Sequence, residues 1–258
     1  MKTPVLIKKV ISILFLTLAL MACQNRSGEQ TSSENNLNPD PTEWVDLLSN
    51  GDVSQWRGDN SESFPEAGWK VEENVLVVNA PSEDEPVSAG NLFTKQAYGN
   101  FEFYWEWKML TMGGNSGVKY FVPGGDHSYA TYGPGPEYQI LDDANHPWML
   151  EGKMKPFDHY TMGSCYELYA ADSSKSTAPL GEWNTSRIVS KDGHVEHWLN
   201  GDKIVEYNRF SDDFATRVLK SKFKEFPKYG LLEKGHIMLQ DHGGEIYFRN
   251  MKIKVSDQ

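Results

Sequence analysis

Cysteine is almost absent from the sequence, which contains only Cys23 and Cys165. Cys23 directly follows an apolar segment near the N-terminus and is expected to carry a lipid, so Cys165 has no partner for an internal disulfide. The stability of the folded domain must therefore come from its core. Cys165 lies in a strand-like stretch and is interpreted as a buried structural thiol, with a nucleophilic thiol as the alternative.

Long apolar runs, cationic clusters and metal-binding patterns are also missing. The apolar run at residues 10–22 is too short to cross a bilayer core of about 30 Å as a helix. The net charge is −11 and no dense group of lysine and arginine offsets it, so nucleic acid is not expected as a partner. The seven histidines form no His-x-Glu-x-His pattern typical of zinc sites. No metal or other cofactor is predicted, although the sequence does not exclude a structural calcium ion.

The N-terminal 41 residues have the features of a targeting segment and a tether. Residues 1–22 combine a basic start, an apolar stretch and a small residue before Cys23, which predicts a signal peptide. The tetrapeptide Leu-Met-Ala-Cys at residues 20–23 resembles a bacterial lipobox, with ordinary secretion as the alternative. Residues 23–41 are polar and predict a flexible tether from lipidated Cys23. We expect a protein of the cell envelope, and Gln24 favours the outer membrane, on its periplasmic or surface side.

Residues 42–258 are predicted to form one all-β domain, a jelly-roll sandwich. Bulky apolar residues alternate with polar ones in the clearest predicted strand, at residues 101–109. Type I′ hairpin turns, which need positive φ, are predicted at Asp192-Gly193 and Asn200-Gly201. Residues 164–169 are also expected to be a strand, and residues 211–228 to contain a short helix. The insertion at residues 142–161 is long for a connection, and such loops are usually functional.

Several short segments, taken in order, resemble the bacterial 3-keto-disaccharide hydrolase family, long known as a domain of unknown function. They are Leu-Leu-Ser-Asn-Gly at residues 47–51 with Trp56, Tyr-Gly-Asn-Phe-Glu-Phe at 98–103, Glu-Trp at 106–107, Gly-Gly-Asn-Ser-Gly at 113–117, Gly-Pro-Glu-Tyr-Gln-Ile-Leu-Asp at 135–142, and four segments at 181–184, 194–201, 239–243 and 248–250. The resemblance spans residues 43–255 and implies a concanavalin-like sandwich. It further implies cleavage of glycosides oxidised at C3, or simple carbohydrate binding.

The acidic residues of the predicted strands do not favour ordinary glycoside hydrolysis. That chemistry needs two carboxyl groups about 5 to 9.5 Å apart. Glu102 and Glu106 on the clearest strand are four residues apart, or about 13 Å at a rise of about 3.3 Å per residue. A ketone at C3 makes the C2 proton acidic, so that a 3-keto sugar needs one base, a group that stabilises the enolate and an acid for the leaving group.

The candidate catalytic residues are Glu137 as the base and His146 or His242 as the acid. Glu137 and Gln139 point to one face of a predicted strand, and His titrates nearest to neutral pH. The alternatives are a solvent-facing glutamate and loop histidines bonded to carbonyls. Candidates for substrate binding are Gln139, Asn115, Ser116, Glu106, His197, Gln240, Trp148 and Asp142.

Three functions remain open at this point. The first is a lipid-anchored hydrolase of 3-keto-glycosides, in which a groove brings Glu137 and a histidine together. The second is a surface protein that binds carbohydrate without cleaving it, and the third is a structural or adhesive protein without a groove. The partners expected are a carbohydrate and, through the lipid alone, the membrane.

Overall fold

The computed structural model describes residues 43–78, 90–125 and 127–256. The predicted signal peptide, the lipidation site Cys23 and the predicted tether lie outside these residues. No helix within the described ranges has both the length and the apolar character needed to cross a membrane.

Two antiparallel sheets make up the fold. The larger has eight strands in the order β11-β10-β9-β6-β13-β4-β3, with β1 also paired to β13, and the smaller has five in the order β2-β5-β12-β7-β8. The strands are β1 Val45–Asp46, β2 Trp56–Arg57, β3 Trp69–Glu72, β4 Val75–Val78, β5 Leu92–Tyr98, β6 Phe101–Met109, β7 Asn115–Val122, β8 Glu137–Leu141, β9 Asn184–Lys191, β10 His194–Leu199, β11 Asp202–Asn208, β12 Gly235–Leu239 and β13 Ile246–Val255. The helices are α1 Tyr129–Tyr132, α2 Pro147–Leu150 and α3 Asp212–Lys220, with 3-10 turns at Ser49–Gly51 and Lys222–Glu225.

The core lies between the two sheets. Along β6 the odd-numbered residues are buried and alternate with half-buried even-numbered ones, as the sequence predicts. Trp105 of β6 contacts Tyr138 of β8 edge to face, with 5.1 Å between ring centroids. Such aromatic pairs add to the free energy gained by burial. The prediction of an all-β jelly-roll sandwich is confirmed.

The hairpin predictions hold, and one strand prediction is wrong. Asn200 and Gly201 have φ of 48° and 94° between β10 and β11, as a type I′ turn requires. Residues 164–169 do not form a strand, because the amides of Leu168 and Tyr169 both donate to Cys165 O at 2.9 Å and close a tight turn. Cys165 is fully buried, and burial raises the pKa of its thiol to about 12, as expected for a structural cysteine.

The five-stranded sheet presents a polar outer face. Along β8, Tyr138 and Ile140 join the core, so Glu137 and Gln139 point away from it. The same alternation on β7 puts Val118 in the core and its neighbour Lys119 on the outer face. This outer face carries the candidate site.

Candidate functional site

Glu137 and Lys119 form a buried pair at the centre of this site. They are directly opposite each other on β8 and β7, with 3.4 Å between Lys119 Nζ and Glu137 Oε2. Their side chains are only 8% and 13% exposed, respectively. A carboxylate so poorly hydrated depends on its neighbours for stabilisation and is a stronger base than one in water.

The environment of Glu137 displaces its pKa in two opposing directions. Burial raises the pKa above its ordinary value and is the largest influence. The ammonium of Lys119 lowers it through charge and hydrogen bonding, and the charges of Lys222 and His242 lower it further. The net direction is upward, which brings the carboxyl closer to the working range of a general base.

Gly117 makes room for the Glu137 carboxylate. A Cβ atom at position 117 would lie 2.5 Å from Glu137 Oε1 and 3.0 Å from its Cγ. Real Cβ atoms do not approach other atoms so closely, so any larger residue would move the carboxylate. The side chain of Glu137 therefore lies over the backbone of β7.

Gln139 lies beside Glu137 as the sequence predicts. With its amide nitrogen turned toward β7, Gln139 donates to Glu137 Oε1 at 3.2 Å and to Ser116 O at 3.1 Å. In the opposite amide orientation the nitrogen donates to Tyr160 O at 3.3 Å. We favour the first orientation because it makes two hydrogen bonds where the second makes one.

A groove of about 800 Å³ runs over the outer face of the five-stranded sheet next to this pair. Lys119 lines its end nearest to Glu137. Its floor includes Phe93, Val122 and Met238, and its far end includes Arg57 and His236. Pockets of this size are typical for small-molecule ligands.

Two amide oxygens on this face have no hydrogen-bond partner among the described residues. Asn115 Oδ1 and Gln240 Oε1 are both buried without a donor. Asn115 lies on the same outer face of β7 as Gly117 and Lys119, while the backbone amide of Gln240 donates to Gly117 O at 2.9 Å. Buried acceptors without partners are rare in native proteins and often belong to binding sites.

The two candidate histidines differ in their exposure and in their hydrogen bonding. His242 is exposed, and its charge acts on both Glu137 and His146. His146 caps α2, where its Nδ1 accepts from Trp148 N at 3.3 Å. Burial lowers the pKa of His146, and the charge of His242 lowers it further, although Asp143 and Asp142 act in the opposite direction. His242 is therefore the better placed of the two to supply a proton.

Aromatic rings line the edge of the site beyond β8. Trp148 is 45% exposed and contacts the ring of His146 edge to face at 5.8 Å. The same indole contacts Tyr160 at 6.2 Å, and Tyr160 contacts Tyr166 at 5.5 Å. Tyr166 continues the row to Glu137, since its backbone amide donates to Glu137 O at 3.0 Å.

The long insertion is anchored by two aspartates. Asp142, a predicted substrate-binding residue, joins two loops, because its Oδ2 accepts from Gly113 N at 2.9 Å and from Asn145 Nδ2 at 2.8 Å. Asp143 Oδ2 pairs at 2.9 Å with Lys175, whose ammonium also donates to Met162 O at 2.7 Å. These contacts fix the insertion against the sandwich.

Three other candidate residues lie away from the groove. Glu106 is on the larger sheet, where its carboxylate accepts from Arg249 Nε and Asn250 Nδ2, both at 2.7 Å. Ser116 is fully buried and donates to Gln240 O at 2.8 Å instead of lying at the groove rim. His197 is fully buried between the sheets. The sequence shows which residues alternate on a strand but not which sheet or face each strand presents.

His197 belongs to a polar network inside the core. Its Nε2 shares a hydrogen bond of 2.8 Å with the hydroxyl of Tyr120, and its Nδ1 lies 3.0 Å from Gly163 O. Tyr120 in turn bonds the hydroxyl of Tyr207 at 2.6 Å. The network joins strands of the two sheets and leaves His197 no route to a substrate.

The burial of His197 predicts a pH dependence of stability. Burial lowers the pKa of His197 from 6.5 to about 4, so the unfolded chain binds a proton between these values that the folded chain does not. The free energy of unfolding should thus fall by about 2 kcal/mol from this residue between pH 7 and pH 5. Urea unfolding of wild type and His197→Gln at both pH values isolates the effect, because all other titrating groups are shared. Equal pH dependence in the two proteins would contradict the assignment.

The sequence interpretation missed Lys119, Gly117 and Lys222. The one available signal was a single lysine in the otherwise apolar stretch Val118 to Val122. Lys222 follows α3, and its ammonium lies 4.2 Å from the centre of the Tyr166 ring. Pairing of distant strands, which the sequence does not state, brings these groups to Glu137.

One group of described residues has the spacing to hold a metal ion. His194, Glu196 and Glu206 have ligand atoms within 4.8 Å of one another. Lys203 already donates to both carboxylates, at 3.3 Å to Glu196 and in a short contact to Glu206. The cluster lies on the other sheet and takes no part in the groove.

Comparison with known proteins agrees with this architecture. The family model described as the 3-keto-alpha-glucoside-1,2-lyase-like domain matches residues 43–254. A 3-keto-disaccharide hydrolase of Bacteroides thetaiotaomicron is 29% identical over 234 residues, which cover 83% of this chain and 79% of the relative. The crystal structure of a candidate glycosyl hydrolase from Parabacteroides distasonis is 37% identical, with a TM-score of 0.70 over 83% of this chain and 94% of that one. A second candidate glycosyl hydrolase from that organism is 26% identical with a TM-score of 0.58, over 83% and 99% of the two chains. This chain is a member of the 3-keto-alpha-glucoside-1,2-lyase-like domain family.

Proposed function

We propose that the protein hydrolyses glycosides whose sugar carries a ketone at C3, with Glu137 as the base that removes the C2 proton. The observation that carries this proposal is the Glu137–Lys119 pair, a poorly hydrated carboxylate beside an ammonium at the end of a groove. The names of the family and of the Bacteroides relative support a 3-keto sugar as the substrate. The two candidate glycosyl hydrolases support an enzyme acting on sugars.

The first step is proton transfer from C2 of the sugar to Glu137. The electron pair of the C2–H bond moves toward the C3 carbonyl, and negative charge develops on its oxygen. A cation beside the base can stabilise this enolate. The ammonium of Lys119, which pairs with Glu137, is placed to do so. An ammonium in a poorly hydrated site acts more strongly than it would in bulk water.

The second step expels the group bonded to C1. The enolate electrons form a C1–C2 double bond as the C1–O bond breaks, and the departing oxygen takes a proton. We assign this proton to His242, which is exposed and whose charge reaches Glu137. Water then adds across the double bond: its hydroxyl bonds to C1, its remaining proton restores His242, and Glu137 returns a proton to C2. The sum of these steps is hydrolysis.

Amide groups are proposed to hold the sugar over Glu137. The oxygens of Asn115 and Gln240 need hydrogen-bond donors, which sugar hydroxyls provide. Because these amide groups are already held in place, they need little rearrangement when the substrate binds.

The pattern of charges around Glu137 favours this mechanism over that of an ordinary glycosidase. The charged groups that act most strongly on Glu137 are Lys119, Lys222 and His242. A retaining or inverting glycosidase would instead need a second carboxyl group nearby. Cations beside a single carboxylate suit the abstraction of a proton next to a ketone.

The test is incubation with methyl 3-keto-glucoside and 3-ketotrehalose in D₂O, beside the same glycosides without the ketone. We expect release of 3-ketoglucose from the oxidised substrates only, with deuterium incorporated at C2 of the product, because Glu137 exchanges its proton with solvent. Nuclear magnetic resonance measures both release and exchange. Cleavage of the unoxidised glycosides at the same rate, or product without deuterium at C2, would refute the mechanism. Binding without any turnover would instead indicate a carbohydrate-binding protein.

A further inference from the structure

We propose that Tyr166 is a further catalytic residue, whose hydroxyl donates a hydrogen bond to the oxygen that leaves C1 and stabilises the negative charge that develops there. This inference rests on the proposed function, because it takes C2 of the oxidised sugar to lie at Glu137. It gives a role to a residue that the mechanism above does not use, and it states on which side of Glu137 the leaving group lies.

A short segment continues the five-stranded sheet beyond β8. The amide of Gln139 donates to Ser164 O at 3.1 Å, and the amide of Tyr166 donates to Glu137 O at 3.0 Å. These two hydrogen bonds are those of an antiparallel pair of strands. The segment that holds Tyr166 therefore lies along the edge of β8 that β7 does not occupy.

This pairing turns Tyr166 toward the outer face of the sheet. Cys165 is opposite Tyr138, and both side chains are fully buried in the core. Successive side chains alternate between the two faces, so Tyr166 points away from the core, as Glu137 does. The same register makes Tyr166 and Glu137 cross-strand neighbours, with their Cβ atoms about 5 Å apart. Glu137 is thus flanked by Lys119 on one side and by Tyr166 on the other.

The order of these three side chains determines where the leaving group lies. In the sugar ring, C2 is bonded to C1 and C3, which lie on opposite sides of it. The proposed mechanism places C2 at Glu137 and the C3 oxygen at Lys119. The oxygen on C1 is then directed toward Tyr166. When the C1–O bond breaks, its electron pair stays on this oxygen, and a hydrogen-bond donor beside it stabilises the charge. The proton itself comes from His242, so Tyr166 keeps its own.

The hydroxyl of Tyr166 is suited to act as this donor. No other described residue forms a hydrogen bond with it. Burial, together with the negative charges of Glu167 and Glu137, raises the pKa of Tyr166 to about 12, so the hydroxyl carries its proton at neutral pH. The ring is held by Tyr160, with 5.5 Å between centroids, and by the ammonium of Lys222, 4.2 Å from the ring centre.

The test measures how the enolate divides between two fates in D₂O. The enolate either regains a proton at C2, which puts deuterium into unreacted substrate, or loses the leaving group. Tyr166→Phe keeps the ring and removes only the hydroxyl. With methyl 3-keto-glucoside we expect the ratio of exchange to release to rise at least about tenfold in this variant, because a donor to a developing oxyanion contributes at least this factor. Nuclear magnetic resonance measures both quantities.

A second substrate and a second tyrosine make the test specific. 4-Nitrophenolate leaves more readily than methoxide and needs less stabilisation, so with 4-nitrophenyl 3-keto-glucoside the ratio should change by less than about threefold. Tyr104→Phe is the matched control. Tyr104 is also half-buried, and its hydroxyl donates to Glu106 Oε1 at 3.3 Å, but it lies on the larger sheet. This variant should leave the ratio unchanged for both substrates.

Each outcome has a separate meaning. An unchanged ratio for the methyl compound in Tyr166→Phe would overturn the assignment, and so would an equal rise for both substrates. An equal fall of exchange and release would also overturn it, because the hydroxyl would then act on the first step or only on the fold. Absence of both exchange and release in wild type with every 3-keto substrate would refute the proposed function itself.

Discussion

Replacement of Glu137 by glutamine is expected to lower kcat on 3-keto-glycosides by a factor of about 10² to 10⁴ with little change in KM. Glutamine has nearly the same shape as glutamate but cannot accept the C2 proton, and general-base catalysis contributes a factor of this size. The measurement is steady-state kinetics of 3-ketoglucose release. Exchange of the C2 proton in D₂O should disappear in parallel, because exchange and hydrolysis share the first step.

Glu106→Gln is the matched control for this prediction. Glu106 is also a strand glutamate paired with a cation, but it lies on the larger sheet beside Arg249. We expect its replacement to leave kcat within about twofold of wild type, because Glu106 lies on the other sheet, away from the groove. Retention of full activity by Glu137→Gln, or an equal loss in both variants, would remove Glu137 from the mechanism.

Lys119→Met is expected to lower kcat/KM at pH 7 by about tenfold or more and to move the acid limb of the pH profile upward. Glu137 must be ionised to act as the base, so activity falls as the pH drops through its pKa. Lys119 lowers that pKa, and its removal lets burial raise the pKa further. The expected displacement of the limb is about one pH unit or more, since a neighbouring opposite charge changes a carboxyl pKa by about 1 to 3 units. The measurement is kcat/KM over a range of pH.

The plateau of the same profile separates two roles of Lys119. If Lys119 acts only on the ionisation of Glu137, the variant regains wild-type activity at high pH. If Lys119 also stabilises the enolate, as we propose, the plateau stays low at every pH. Lys191→Met, an exposed lysine at the end of β9 in the other sheet, is the control and should not move the limb. An unchanged profile for Lys119→Met would contradict both roles.

The sequence was sufficient for the fold because the fold depends on local patterns. The alternation at residues 101–109 and the Asn-Gly turn at residues 200–201 each encode their own geometry, and the structure has both. The prediction of a strand at residues 164–169 was wrong because this segment forms a tight turn whose apolar side chains still pack into the core. Burial alone does not distinguish a strand from a compact loop at this length.

The site was only partly predictable, since it depends on pairings between distant strands. The sequence places Glu137 and Gln139 on one face of one strand, and the structure agrees. The sequence does not show whether that face meets the core or the groove. The register of β7 against β8, which places Lys119 opposite Glu137, is also not evident from it. His197 shows the converse error, because a polar side chain on a strand can be bonded entirely inside the core.

The position of the Glu137 carboxylate depends on the absence of a side chain at Gly117. Because even a methyl group there would collide with the Glu137 carboxylate, an alanine at this position would displace the proposed base while leaving the glutamate itself in the sequence. In a homologous sequence, a bulkier residue here would therefore be expected to impair the proposed chemistry even where the glutamate is retained.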